Sequence, residues 1–260
     1  MTGSSGTRQG AGSALRTDGY VHVRGALHSQ RAAWSVAAEI IDSVSDPGEL
    51  EVIGEFVLPP PDGPPSRAFQ TLHVDFGVPL VPARPGDVAR FTALHVLTEA
   101  PPTEAATRLV KLDVLLSGHG WPGRRELHDR FLDYGRSHGA WDDDAGYVEG
   151  SLARMVEAAA GVNRVLPSVK STPGFRCGME FDDLAGELEF FSERGLPIDA
   201  ATHEVRLQPG ELLVFDNLSV AHGRRGVRPP GELHQRVYGW RQASVARQRA
   251  IRDQFLAAFR

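Results

Sequence analysis

The sequence predicts a mainly β, α+β fold: a jelly-roll core flanked by helices and carrying a helical insertion. Short segments rich in β-branched and aromatic residues recur between Gly/Pro turns along most of the chain. Helix-period apolar patterns stand near both ends, in SQRAAWSVAAEIIDSV and over Val245 to Phe259. A further pair falls mid-chain, near Arg124 to Ser137 and Val148 to Ala160. Many short strands framed in this way fit a jelly roll. With 260 residues, 41% hydrophobic and 23% charged, the chain can bury a sizeable core, and no linker divides it. Residues 1–14, rich in Gly and Ser, are expected to be a disordered tail ahead of one domain over 15–260.

In order, Asp18-Gly19 signals a turn and Tyr20, Val21 and Val23 a short strand. Ser29 is placed to cap the helix that follows, where Ala33, Val36, Ala37, Ile40, Ile41 and Val44 recur at helical spacing. Asp46-Pro47-Gly48 stops it. Glu51 to Leu58 reads as a strand, and the proline cluster Pro59 to Ser66 as a surface loop, since proline cannot donate to a sheet ladder. Further strands are expected over Phe69 to Val78, Asp87 to Thr98 and Ala106 to Leu116. After the helical insertion come Pro167 to Lys170, Phe175 to Phe181, Leu188 to Phe191, Thr202 to Leu207, Glu211 to Phe215 and Arg236 to Gln242. The turn-rich, acidic segment 171–196 is a candidate lid by position.

Composition narrows the partners. A net charge of −5, with no basic stripe interleaved with aromatics, argues against nucleic acid. No apolar run reaches the roughly 18 residues of a membrane span. The N-terminus has no apolar core of a secretion signal. One cysteine, Cys177, excludes an internal disulfide and fits a cytoplasmic location.

The chemistry gathers in two stretches. Residues i and i+2 of a strand point to one face, so LHVDFG aims His73 and Asp75 into the same cavity. His222 follows much later, after the apolar strand ELLVF and a Phe-Asp-Asn turn. Each motif alone is weak, because a strand histidine is more often a packed or surface residue. Together, two histidines and a carboxylate form the facial triad of non-haem Fe(II) sites, with three positions open. Arg236 lies fourteen residues after His222.

The stretch FDNLSVAHGRRGV…HQRVYGW resembles the distal motif of the Fe(II)/2-oxoglutarate oxygenases of the taurine dioxygenase and clavaminate synthase group, and LHVDFG resembles their proximal one. LRTDGYVHVRGAL also resembles the superfamily's N-terminal strand. The resemblance implies a double-stranded β-helix, with His73, Asp75 and His222 as iron ligands and 2-oxoglutarate and O2 as co-substrates. It assigns Arg236 to the far carboxylate of 2-oxoglutarate, which a planar guanidinium grips through two parallel hydrogen bonds. Arg224, Arg225 and Arg228 compete for that role; Arg236 is favoured because it sits in a strand while they sit in a Gly/Pro-rich loop. Thr98 is carried over as a hydroxyl near the same carboxylate. Relatives that halogenate replace the carboxylate ligand by a small residue, so Asp75 favours hydroxylation.

The expected reaction is hydroxylation of an unactivated C–H of a free amino acid or similar small metabolite, with release of succinate and CO2. Desaturation, cyclisation, epimerisation and a carrier-tethered substrate stay open. Gln70, Phe76 and Trp240 are candidate substrate contacts by proximity in sequence. Two rivals are a binding module with a vestigial metal site and a zinc hydrolase. Both are disfavoured: the ligand set is intact, and no HExxH-like helix supplies a general base.

Overall fold

A computed structural model describes residues 7–45, 50–58, 61–66, 68–76, 91–111, 148–151, 181, 183–193, 195, 198–216 and 219–240; for 7–9, 50–56, 58, 73–76, 148–151, 190 and 237–240 it describes the backbone alone. The elements are α1 (Thr7–Asp18), β1 (Tyr20–Val23), α2 (Gln30–Asp42), β2 (Leu50–Leu58), β3 (Phe69–Phe76), β4 (Phe91–Val96) and β5 (Ala106–Lys111). They continue with β6 (Val148–Ser151), α3 (Leu184–Ser192), α4 (Ile198–Ala201), β7 (His203–Val205), β8 (Leu212–Asp216), β9 (Val220–Arg225) and β10 (Leu233–Trp240).

Two five-stranded antiparallel sheets result, ordered β1-β8-β4-β10-β2 and β6-β3-β9-β5-β7. From β2 to β5, and again from β7 to β10, each successive strand crosses to the other sheet. That alternation is the winding of a jelly roll, in agreement with the expected fold class.

The core has two layers. Leu94, Val96, Leu213, Phe215 and Leu233 of the first sheet meet Leu109, Val205 and Val220 of the second, filling the space between them. On the first sheet's other face, Phe91, Ala93, Leu212 and Val214 pack under Trp34, Ala37, Ile40 and Ile41 of α2. Strands β4 and β8 are therefore buried on both faces, which is why FTALHV and LLVFD are nearly continuous apolar runs. Ser29 caps α2 as expected, its Oγ accepting from the Ala32 N–H at 3.1 Å. Gly19 turns the chain at φ 77°, where a Cβ would meet Val220 at 2.8 Å.

Three expectations need correction. Residues 7–14 belong to α1, not to a disordered tail, because Leu15 anchors that helix in the α2 cluster at 2% exposure. Leu188 to Phe191 lies in helix α3 instead of a strand; Asp183 caps that helix by accepting from the Gly186 N–H at 2.9 Å, and Glu187 and Phe191 share its buried side. Val148 to Ser151, expected to open a helix, is the edge strand β6, paired with β3. The rest of the expected helical insertion and the C-terminal helix over Val245 to Phe259 lie outside the described residues, as do most of the strand positions expected over 167–181. Among the described residues, no helix is long and apolar enough to cross a membrane.

Candidate metal and co-substrate site

Strands β3 and β9 are neighbours, and His73 stands directly opposite His222. Residues paired across an antiparallel ladder share a face. Since β-strands alternate, Asp75 falls on that face as well. His222 is 8% exposed, and its ring lies 4.5 Å from that of Phe215, a member of the core between the sheets. The shared face is thus the inner one. Neighbouring β6 sets Ser151 opposite His73 and Glu149 opposite Asp75. Two imidazoles and a carboxylate, on adjacent strands and one face, are a donor set that suits Fe(II).

This agreement of faces depends on a β-bulge. Gln70 pairs with Arg224 and His73 with His222, so β3 spends three steps where β9 spends two. Without the extra residue His73 would oppose Ala221, and both His73 and Asp75 would face away from His222.

Deeper along β9, Arg224 lies two residues past His222 on the inner face, opposite Thr107 of β5 and Gln70 of β3. That offset is about 6.6 Å along a strand. Arg224 is 7% exposed and donates from Nη1 to the Gly226 carbonyl. Arg228, in the loop after β9, donates from Nη2 to the Thr107 hydroxyl at 2.9 Å. Its backbone N–H is held by Ser66 Oγ at 2.8 Å. Burial, reinforced by the Arg224 charge, pulls the Arg228 guanidinium down to about 10, with Glu232 opposing. Glu232 is itself 2% exposed; burial raises its pKa, against the pull of Arg228, Thr103 and Arg224. No described carboxylate lies within ion-pair distance of Arg228. One buried cation, one half-buried cation and one buried carboxylate therefore crowd the inner end of the barrel.

Two residues carried over by resemblance are not brought here. Arg236 follows Leu233 and Gln235 in alternation, so it shares His234's face of the first sheet, under α2; its guanidinium lies 4.8 Å over the Trp34 ring. Thr98 sits in an exposed turn after β4, its hydroxyl donating to Glu99 Oε2 at 2.9 Å. Thr107 of β5, opposite Arg224, carries the hydroxyl that accepts from Arg228. Arg225 points outward and pairs with Glu204 at 2.7 Å. Of the candidate substrate contacts, Gln70 shares the inner face through its pairing with Arg224. Phe76 and Trp240 end β3 and β10. Arg224 was readable once β9 is known to be a strand, as a residue at i+2 from His222; Arg228, Thr107 and Glu187 carry no local signal.

The sequence model described as "Taurine catabolism dioxygenase TauD, TfdA family" matches residues 155–238, which include His222 and the arginines after it. No curated protein matches the chain. Among solved structures, an asparagine oxygenase in complex with Fe(II), 2S,3S-3-hydroxyasparagine and succinate is 17% identical at a TM-score of 0.45, covering 95% of this chain and 82% of its own. A taurine dioxygenase from Burkholderia xenovorans is 13% identical at 0.47, covering 93% and 84%. PvcB from Pseudomonas aeruginosa is 14% identical at 0.45, covering 91% and 84%. Likeness at this distance does not extend what those proteins act on to this chain. The family model's match runs through His222, and LHVDFG lies on the strand paired with it.

Proposed function

We propose that the chain hydroxylates an unactivated C–H of a small, amino-acid-like metabolite in the cytoplasm, with His73, Asp75 and His222 as the iron ligands. The observation that carries this reading is the pairing of His73 with His222 across β3 and β9, with Asp75 on the same face. When bound, Fe(II) and 2-oxoglutarate supply the oxidising chemistry together with dioxygen. The chain's own part is to orient and to exclude water. Phe215, which shares an apolar core with Leu213 and Leu94, packs against the His222 ring. Arg228, seconded by Arg224 and the Thr107 hydroxyl, is the guanidinium suited to the far carboxylate of 2-oxoglutarate. The offset of Arg224 from His222, about 6.6 Å along β9, suits a five-carbon dicarboxylate held at its other end by the metal. The spacing of the distal motif favours Arg236 instead, and variants of each separate the two.

The test is succinate formation under air with Fe(II), 2-oxoglutarate and a panel of amino acids and small acids. Substrate-dependent succinate that disappears in His73→Ala supports the reading. No succinate with any member, while the anaerobic Fe(II) protein still binds 2-oxoglutarate, moves the substrate to a carrier-tethered form. A protein that binds neither Fe(II) nor 2-oxoglutarate ends the proposal.

A further inference from the structure

We propose that Glu187 is a positioning residue for the metal site, acting through the bulge that sets His73 and Asp75 on the same face as His222; this rests on the iron reading of those three residues. The extra residue of the bulge frees backbone groups from the β3–β9 ladder. One of them, the Leu72 N–H, donates to Glu187 Oε1 at 2.7 Å across 115 positions of sequence. The other carboxylate oxygen accepts from Arg108 Nη1. Glu187 and Arg108 are 0% and 1% exposed, and the Arg108 guanidinium also lies 5.4 Å from the centre of the Phe69 ring. A second tie meets the same bulge: the Phe181 N–H donates to Thr71 Oγ1 at 3.0 Å. Opposite it, a Cβ on Gly223 would stand 2.7 Å from the Gln70 carbonyl oxygen and 3.1 Å from that of Thr71. The bulge is thus gripped by a carboxylate on one side and admitted by a glycine on the other.

A buried ion pair is a poor device for bulk stability, because the desolvation of two charges offsets most of their attraction; its best-attested use is to fix register. Register is what matters here. A slip of one residue costs β3 little pairing but turns both expected ligands to the wrong face. Glu187 accepts from Leu72, an amide within the stretch of β3 that is out of register with β9. Its role is therefore to hold two metal ligands in phase without touching the metal.

The direct test reads register without any metal. In a Cys177→Ser background, His73→Cys with His222→Cys should oxidise to a cross-strand disulfide, since opposed residues of a ladder stand within bridging range. Glu187→Asp keeps the charge beside Arg108 but withdraws the carboxylate by one methylene. In that background the 73–222 crosslink should fall and a 73–221 crosslink, made with Ala221→Cys, should rise. Should Glu187→Asp fail to fold, Glu187→Met with Arg108→Met replaces the pair by apolar side chains, a change that often leaves stability intact. With native residues at 73 and 222, Co(II) affinity should fall about 10- to 100-fold in either variant, the usual cost of losing a residue that orients a ligand. The apo-protein melting temperature should stay close to that of the native chain. Glu187→Gln, which keeps an oxygen for the Leu72 N–H, should restore most of the affinity. An unchanged 73–222 crosslink in the folded variants overturns the proposal. If His222→Ala binds Co(II) as well as the native chain, the metal reading fails instead, and the crosslinks still judge Glu187.

Discussion

Arg228, from the loop after β9, donates to the Thr107 hydroxyl on the inner face of the barrel, where Thr107 of β5 stands opposite Arg224 of the strand that carries His222. A guanidinium that burial has pulled down to about 10 gains when an anion arrives, because the anion offsets the cost of holding its charge out of water. Arg228→Gln is expected to raise the KM for 2-oxoglutarate by about 10-fold or more, the loss of a charge-assisted hydrogen bond. Arg228→Lys should recover only part of this, since an ammonium cannot present two parallel donors. Arg236→Gln, which loses contact with Trp34, should lower the melting temperature more than it raises KM. The reverse ranking would give the carboxylate to Arg236. Steady-state kinetics in 2-oxoglutarate decides it.

His95 and His234 stand opposite each other on β4 and β10, both beside Trp34 of α2. Burial lowers the pKa of His95, the His234 charge lowers it further, and the Leu27 backbone and Glu99 oppose. With a folded pKa below the usual 6.5, the unfolded chain binds the extra proton first, so stability is present above 6.5 and is lost as pH falls below it. The melting temperature should therefore drop on acidification in that range. His95→Gln should flatten the drop, and an equal slope in the variant would remove His95 as its source.

What the sequence showed of this molecule was governed by how local each signal is. Tyr20 to Val23, Leu50 to Leu58 and Leu212 to Phe215 were legible because alternation or a short apolar run is a property of the segment itself. The ligand strand β3 was legible for the same reason, and His222 because a motif marks it. Strand β9 was not: HGRRG is polar and glycine-rich, and it is a strand because β3 and β5 bond to it on both sides. Missing it put Arg224 in a loop and made Arg236 look better placed. The bulge at Thr71 and Leu72 was beyond reach as well, since its stabilising carboxylate lies in α3, more than a hundred residues on. Leu188 to Phe191 was read as a strand, while Asp183 and the spacing of Leu184, Glu187 and Phe191 favour the helix that forms.

Glu232 supplies a third prediction. Its carboxylate is 2% exposed. Burial raises its pKa above the ordinary 4.5, with Arg228, Thr103 and Arg224 pulling the other way. A carboxyl whose folded pKa is raised contributes stability below 4.5 that is lost as pH rises through the folded value. Glu232→Gln should therefore raise the melting temperature at pH 7, with the gain shrinking toward pH 4. It should also tighten 2-oxoglutarate, because a competing negative charge leaves the neighbourhood of Arg228. A variant less stable than the native chain at pH 7 would show that Arg228 depends on Glu232 as its counter-charge.

Gly223 faces the bulge at closest range. Its φ is ordinary, so the requirement for glycine is one of space: an added Cβ would lie 2.7 Å from the Gln70 oxygen, 3.1 Å from that of Thr71 and 3.2 Å from the Leu72 nitrogen. All three are backbone atoms, which cannot swing aside as a side-chain end would. Gly223→Ala should cost about 1–3 kcal/mol, the usual range for overpacking, and should push β3 away from β9 where His73 meets His222. Calorimetric melting of the apo-protein reads the first effect and Co(II) titration the second. If only stability falls, the two strands have accommodated the methyl without moving the ligands. If metal affinity falls further than stability alone can explain, the close approach at Gly223 is part of what sets the site.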